Sequence, residues 1–297
     1  MASASLRDLV AAELAEPVDP RVAIMAQAIA GLYPEASRAV LFYGSCLRER
    51  ELDGLMLDFY LIVSDYRSAF GRGWYAIANK AVPPNVFPFE HQGLTAKYAV
   101  LSETDFHGLM GMEASAVSVW ARFAQPSRLV WAKDDAAKAK AIDAVTLAAP
   151  TLFALALPLA PADRSDELDL WRFAFSLTYG AELRAERGNR PGSVVDADPD
   201  RYRRFTAPAL AEAAKHPSLT ARDAERRWRG LRRNGKALTL VRLAKATTTF
   251  AGGVDYIAWE INRHAGTAIE VKPWQRRWPI LGALILLPRL LKRGAIR

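Results

Sequence analysis

Short apolar runs alternate with helical patterns over roughly the first 130 residues, and the remainder reads as one helix after another. Together these predict an α/β (α+β) domain followed by a second, mainly helical domain. One strand ends in Tyr43-Gly44-Ser45, and the next carries a single mid-strand acid, Asp58. The change of character near Lys133 puts the boundaries at 1–133 and 134–270, with a basic tail over 271–297.

In chain order, residues 5–33 read as helical, with apolar positions Leu9, Val10, Leu14, Ile24, Ala28 and Leu32 and a break at Pro17 and Pro20. Ala39–Tyr43 is a short apolar run that enters a tight Gly-Ser turn, so a strand. Leu55–Val63 is β-rich and bounded by Gly54 and Ser64-Asp65. A helix fits Phe70–Ala81 and ends before Pro83-Pro84. Val86–Phe89 and Thr95–Leu101 read as two strands joined by a turn at Glu90–Gly93. Beyond Lys133, helices are expected over Ala136–Leu157, Asp166–Arg187, 206–214, 219–234, 236–250 and 252–265. No repeat or low-complexity linker separates the two halves, which implies tight packing between them.

Composition narrows the chemistry. The chain has 297 residues, 51% hydrophobic and 24% charged, enough for one large domain or two modest ones. Its one cysteine, Cys46, excludes an internal disulfide framework and fits a reducing compartment. One cysteine and four scattered histidines also exclude a structural zinc site. Any metal would then sit on carboxylates, which favours Mg²⁺ or Mn²⁺. Seven of the cations behind the net charge of +8 lie in 271–297 with no acid, leaving +1 for the rest. That is a local basic footprint, not a nucleic-acid-binding surface. A second basic segment, Arg222–Lys245, has nine cations and two acids and reads as a solvated helical face that could extend a membrane-facing surface. MASASLRDLVAAELAEP shows no secretory pattern, and Asp8, Glu13 and Glu16 argue against a mitochondrial presequence. No apolar run reaches the ~18 residues that would span a bilayer; the longest is Trp278–Pro288.

The chemistry-bearing residues cluster early. Glycine lets backbone approach phosphate oxygens, and the following N–H groups and a serine hydroxyl can donate to them, so Gly44 and Ser45 suit a phosphate cradle. On its own a Gly-Ser pair is also an ordinary turn. In Leu55–Val63, alternation puts Leu57, Phe59 and Leu61 on one face and Asp58, Tyr60 and Ile62 on the other. A mid-strand carboxylate among large apolar residues must meet a cation, a metal or a donor. A plain salt bridge would satisfy Asp58 as well as a metal would. Transfer of a nucleotidyl group needs a divalent ion held by carboxylates, and one is thin support; Asp53, Asp65 and Glu182 are candidates for a second. Lys97, in mid-strand, could snorkel to solvent or, if it faces Asp58, ligate phosphate.

Polymerase-type nucleotidyltransferases combine a Gly-Ser turn with a strand bearing Asp-x-Asp. Here Met56 stands at the first acidic position, so the likeness is to a nucleotidyltransferase-like domain with half its acids. A closer resemblance covers roughly residues 38–265. Tyr43-Gly44-Ser45, then Met56-Leu57-Asp58-Phe59 to Val63-Ser64-Asp65, then Ala96-Lys97-Tyr98-Ala99 resemble, in order, the mitochondrial translocator assembly and maintenance family. So do Trp120-Ala121-Arg122 to Pro126, Ser176–Tyr179 with Glu182 and Arg184, and Thr247–Tyr256. Members of that family are CTP:phosphatidate cytidylyltransferases, whose pattern is roughly a Tyr-Gly-Ser-Gly turn, a hydrophobic-Leu-Asp-Phe strand and an Ile-Lys-Tyr-Gly strand. The single acid is the family's own arrangement, so Met56 is no defect on this comparison. The resemblance implies that Asp58 and Lys97 are catalytic, and that Asp58 holds Mg²⁺ (or Mn²⁺) with Asp65 or Glu182. It also implies that Tyr43, Gly44, Ser45, Arg122 and Arg184 bind nucleotide or lipid phosphates. The chain departs from the pattern at Cys46 and Ala99, each in place of a glycine, and a family lysine has no match in Gly188–Val194.

The tail PWQRRWPILGALILLPRLLKRGAIR places Trp274, Arg276, Arg277, Trp278, Arg289, Lys292 and Arg293 around an apolar run. It reads as an interfacial anchor on an anionic membrane, or as a C-terminal helix docked on the core. Expected partners are CTP and membrane phosphatidate, with no nucleic acid. The expected location is cytoplasmic, peripheral on the inner face of a bacterial membrane, from the Ala- and Arg-rich usage. The rival readings are a nucleotidyltransferase for another phosphate or a soluble acceptor, and a catalytically inactive membrane-bound scaffold. Convergence of Asp58, Lys97 and Glu182 would speak against the scaffold.

Overall fold

The computed structural model describes residues 4–48, 52–161, 166–181, 190–249 and Lys272. The chain opens with α1 (Leu6–Leu14) and α2 (Pro20–Gly31), then β1 (Ser37–Tyr43) and β2 (Met56–Val63). Next come α3 (Tyr66–Phe70), α4 (Trp74–Ala81), β3 (Asn85–His91), β4 (Leu94–Ser102), α5 (Glu103–Gly108), α6 (Trp120–Phe123) and β5 (Ser127–Ala132). The rest is helical: α7 (Asp135–Thr146), α8 (Ala148–Ala156), α9 (Glu167–Tyr179), α10 (Arg190–Asp196), α11 (Pro199–Ala213) and α12 (Ala221–Thr249). The mixed α and β content matches the expected class.

Local chemistry sets the boundaries. Ser5 and Asp8 form a reciprocal capping box on α1, and Asp19 caps α2 with Pro20 in its first turn. The break at Pro17 and Pro20 lies between them. In α2 the buried stripe is Val22, Met25, Ala26, Ile29 and Ala30, whereas Ile24 and Leu32 are exposed. The wider apolar arc wins the sheet, and the narrower one is left outside.

The sheet has five strands in the order β3-β4-β2-β1-β5. β1 runs antiparallel to both β2 and β5, β2 lies parallel to β4, and β3 and β4 form an antiparallel hairpin. That hairpin turns at Gln92 and Gly93, both at positive φ, a two-residue turn that lengthens both expected strands. β5 was not expected. It follows Gln125-Pro126, pairs only with β1, and is largely half-exposed, so it carries little alternation to read. The helix expected over Phe70–Ala81 starts later, as α4 at Trp74; Phe70 instead closes α3, which Gly71 ends at φ +67°.

Both sheet faces are covered. Val40, Phe42, Leu57, Phe59, Leu61 and Val100 pack with α2, α3 and α4. Leu41, Tyr60, Ile62, Ala99 and Leu101 pack with Phe106, Trp120, Phe123 and the helical half. The second cluster is continuous from Leu6 through the sheet to Trp171, Tyr202 and Trp228. Asp135–Leu159, with α7 and α8, is long and apolar enough by composition to cross a membrane, although no uninterrupted apolar run in the sequence is. Its Ala148, Leu152, Phe153 and Leu155 are core residues here. α11 begins seven residues earlier than 206, and α12 runs unbroken through Gly235 where two helices were expected. On α12 the exposed Arg222, Arg226, Arg229, Arg233 and Lys236 recur at helical spacing, a solvated basic face.

Candidate active site

Three adjacent strands bring the early motifs together. Tyr43, at the end of β1, pairs with Asp58 on β2, and Asp58 pairs with Lys97 on β4. In-register pairing makes all three side chains emerge on one face, the face that also carries Tyr60 and Ile62. Lys97 Nζ lies 3.4 Å from Asp58 Oδ1, and the two side chains are 27% and 23% exposed. The pair therefore sits at the mouth of the sheet–helix interface, reachable from solvent.

Gly44 then turns the chain across the carboxylate. Its φ is +97°, and a Cβ built there would lie 3.3 Å from Asp58 Oδ2. Glycine is needed twice at this position, for the left-handed backbone and for the close approach. Ser45 follows on the surface at the start of a short 3₁₀ turn, Ser45–Arg48. Cys46, where the resembled family has glycine, has no positive φ; its Sγ is 3.4 Å from the Met56 carbonyl and its side chain is buried in the core under the turn. Met56 opens β2, half-buried, and pairs with Thr95.

The wall of the site is aromatic and cationic. Tyr43 packs against Tyr60 at 5.2 Å and Phe123 at 5.9 Å between ring centroids. Burial, and then the Asp58 charge, hold the Tyr43 hydroxyl well above the usual phenol range, while Arg122 and Lys97 pull the other way. The charges of Asp58, Lys97 and Arg122 thus all bear on one hydroxyl. Arg122 reaches back from α6 to the Ser118 carbonyl. From α12, Arg242 donates to Ser118 Oγ at 2.9 Å and to the Pro83 carbonyl at 2.7 and 3.0 Å. Nothing in the sequence singled out Arg242, one cation among nine in its segment; only the fold brings it beside Arg122.

No family model matches the chain, and no curated protein matches it.

Other expected residues lie elsewhere. Asp65 sits past the far end of β2, roughly 20 Å from Asp58 along the strand. There it caps α3, accepting from the Arg67 and Ser68 N–H groups at 2.9 Å each. The Ser68 hydroxyl, before those backbone donors, lowers the Asp65 pKa. This place does not bring it to the Asp58 site. Asp53 is exposed and pairs with Arg21 at 3.3 Å. Glu182, Arg184, and the tail residues Trp274, Arg276, Arg277, Trp278, Arg289, Lys292 and Arg293 lie outside the described residues.

Among the described residues no group of three or more His, Cys, Asp or Glu side chains is placed to hold a metal ion. Among the described residues a cage made by protein alone does not fit. A divalent ion held by one carboxylate, with substrate phosphates and water as its other ligands, does, since Mg²⁺ is commonly held so. Asp58 Oδ2, on the side away from Lys97 and under Gly44, is the oxygen suited to it.

Proposed function

We propose that the chain is a phosphatidate cytidylyltransferase, converting CTP and phosphatidate to CDP-diacylglycerol and pyrophosphate. One observation carries the reading: a Gly-Ser turn, a single carboxylate and a lysine from three adjacent strands meet on one solvent-reachable face. That combination answers the needs of nucleotidyl transfer from a triphosphate.

In this mechanism the backbone N–H groups after Gly44 and the Ser45 hydroxyl donate to triphosphate oxygens. Asp58 would hold Mg²⁺ through Oδ2, and the ion would supply neutralisation of the charge that develops on the phosphates. Lys97 releases Asp58 in part and turns to a phosphate oxygen, a short move for a flexible side chain. Arg122 faces the second phosphate. A phosphatidate oxygen attacks the α-phosphorus; the bond to the bridging oxygen breaks, and pyrophosphate leaves with that electron pair. The lipid phosphate is already an anionic nucleophile, so neither a general base nor a covalent enzyme intermediate is required.

The Lys97–Asp58 contact also favours a second reading, a catalytically inactive scaffold in which the pair is a plain ion pair. One assay separates the two. Wild type and Asp58→Ala are incubated with each labelled nucleoside triphosphate, Mg²⁺ and phosphatidate vesicles, and lipid-linked nucleotide is counted. The expected result is lipid-linked CMP with wild type only, the variant being lower by at least about a thousandfold. No product from wild type, or equal product from both, sinks the reading. Product from a soluble phosphate acceptor alone would shift it to another nucleotidyltransferase.

A further inference from the structure

Helix α4 is built inside out. Its buried side chains are small or amide, Ala76, Ala78 and Asn79, and one ring, half-exposed Tyr75, packs edge-on against Phe87 of β3 at 5.5 Å. Hydrogen bonds do much of the rest. Asn79 Nδ2 donates to the Val100 carbonyl at 2.8 Å, Asn79 Oδ1 accepts from the Asn85 N–H, and Asn85 Nδ2 donates to the Tyr75 carbonyl at 3.0 Å. Outward, Trp74 is 60% exposed and Ile77 63%. A helix that buries alanines and presents a tryptophan and an isoleucine reverses the usual amphipathic order.

Cations predominate near it. Between Asp65, the cap of α3, and Glu90 the sequence has no acid, and Arg67, Arg72 and Lys80 are all exposed. Across the end of α4, Arg242 holds α12 to the Pro83 carbonyl, and the neighbouring Val241 is 48% exposed.

We infer that α4 is a docking element for an anionic lipid bilayer, with Trp74 and Ile77 entering the headgroup–acyl boundary and Arg67, Arg72 and Lys80 meeting lipid phosphates. Charge complementarity chooses this occupant. Two copies of this mainly cationic patch would face each other with like charges, which opposes self-association. A nucleic acid would meet the cations and stack on Trp74, but it would leave Ile77 in water, whereas a bilayer buries both side chains. The inference deepens the reading above, since phosphatidate is presented at such a surface, and rests on it only for the choice of lipid.

The test uses the full chain without nucleotide. Ile77→Cys is labelled with an environment-sensitive dye, the natural Cys46 being buried. Vesicles of neutral lipid, and of neutral lipid with phosphatidate, are added. The expected result is a blue shift with the anionic vesicles and little with neutral ones. A label that stays in water while the protein co-sediments with the anionic vesicles overturns the inference, because binding then runs through another surface. So does an equal shift with both vesicle types, or a shift with acidic protein or single-stranded nucleic acid and none with lipid. In parallel, Trp74→Ser with Ile77→Ser is expected to weaken partitioning by about tenfold, the consequence of withdrawing two large apolar side chains, while leaving the melting temperature unchanged. Unchanged partitioning overturns the inference. Dye insertion without any CMP transfer would instead defeat the proposed activity and leave the docking face standing.

Discussion

Gly44 shows how much of the site depends on one missing side chain. Its backbone at φ +97° is costly for any other residue, and the oxygen a Cβ would crowd belongs to Asp58. Gly44→Ala should therefore cost about 1–2 kcal/mol of stability from backbone strain. Activity should fall far more than that, because the new methyl displaces Asp58 Oδ2 from its place under the turn. Thermal unfolding and the CMP-transfer assay, run on the same preparation, separate the two effects. Activity that falls only in step with stability would mean that the turn does not bear on the carboxylate. Cys46, two positions on, was legible as a departure from the family's glycine but not as what it is. Its side chain points into the core below the turn, so the position needs a small apolar body and no special backbone freedom. That distinction belongs to φ, which a residue name alone does not reveal.

At the scale of elements, the strands that carry the site were readable because each pairs a β-rich run with a turn signal. β1, β2 and the β3–β4 hairpin fall within two or three residues of expectation. Alternation also told which face Asp58 shares with Tyr60 and Ile62. What failed was long-range placement. Asp65 follows the Asp58 strand closely in sequence, which made it a natural second metal ligand. An extended strand carries neighbours apart at about 3.3 Å per residue, and Asp65 lies past the opposite end of β2 as the cap of α3. Replacing it tests which role is real. Asp65→Ala should lower stability by about 1 kcal/mol, the usual cost of a lost cap, with Asp65→Asn close to wild type. Neither should alter CMP transfer beyond that. The pH dependence has a definite sign. A carboxyl with its folded pKa lowered adds stability above the ordinary value of 3.8, and that stability is lost as pH falls through the lowered value. The difference between wild type and Asp65→Ala, followed by urea unfolding, should shrink below about pH 3.8. Loss of transfer activity in Asp65→Asn with intact stability would restore its metal role.

Across the whole molecule, the two halves that differ in sequence character share one continuous apolar cluster, and a buried ion pair ties their distant ends. Glu13 on α1 and Arg201 on α11 are 7% and 3% exposed. Arg201 Nε and a terminal nitrogen donate to the two Glu13 oxygens at 2.6 and 3.1 Å, and the other terminal nitrogen donates to the Ala124 carbonyl at 2.9 Å. Its guanidinium also lies 4.8 Å from the Tyr202 ring centroid and 4.2 Å from that of Phe205. The sequence hid this: Arg201 lies among charges in Asp198–Arg204, ahead of the helix expected from 206. A guanidinium so enclosed is tolerable only while every donor is matched. Glu13→Gln keeps the shape and removes the charge, stranding a buried cation at a cost of about 3–5 kcal/mol. Pairing Glu13→Leu with Arg201→Met removes both charges, and most of that loss should return. Because the pair and the core span both halves, urea unfolding of wild type should give one transition by near-ultraviolet and far-ultraviolet circular dichroism alike. Two separated transitions, or a Glu13→Gln variant as stable as wild type, would mean that the sheet and its helices hold together without this link.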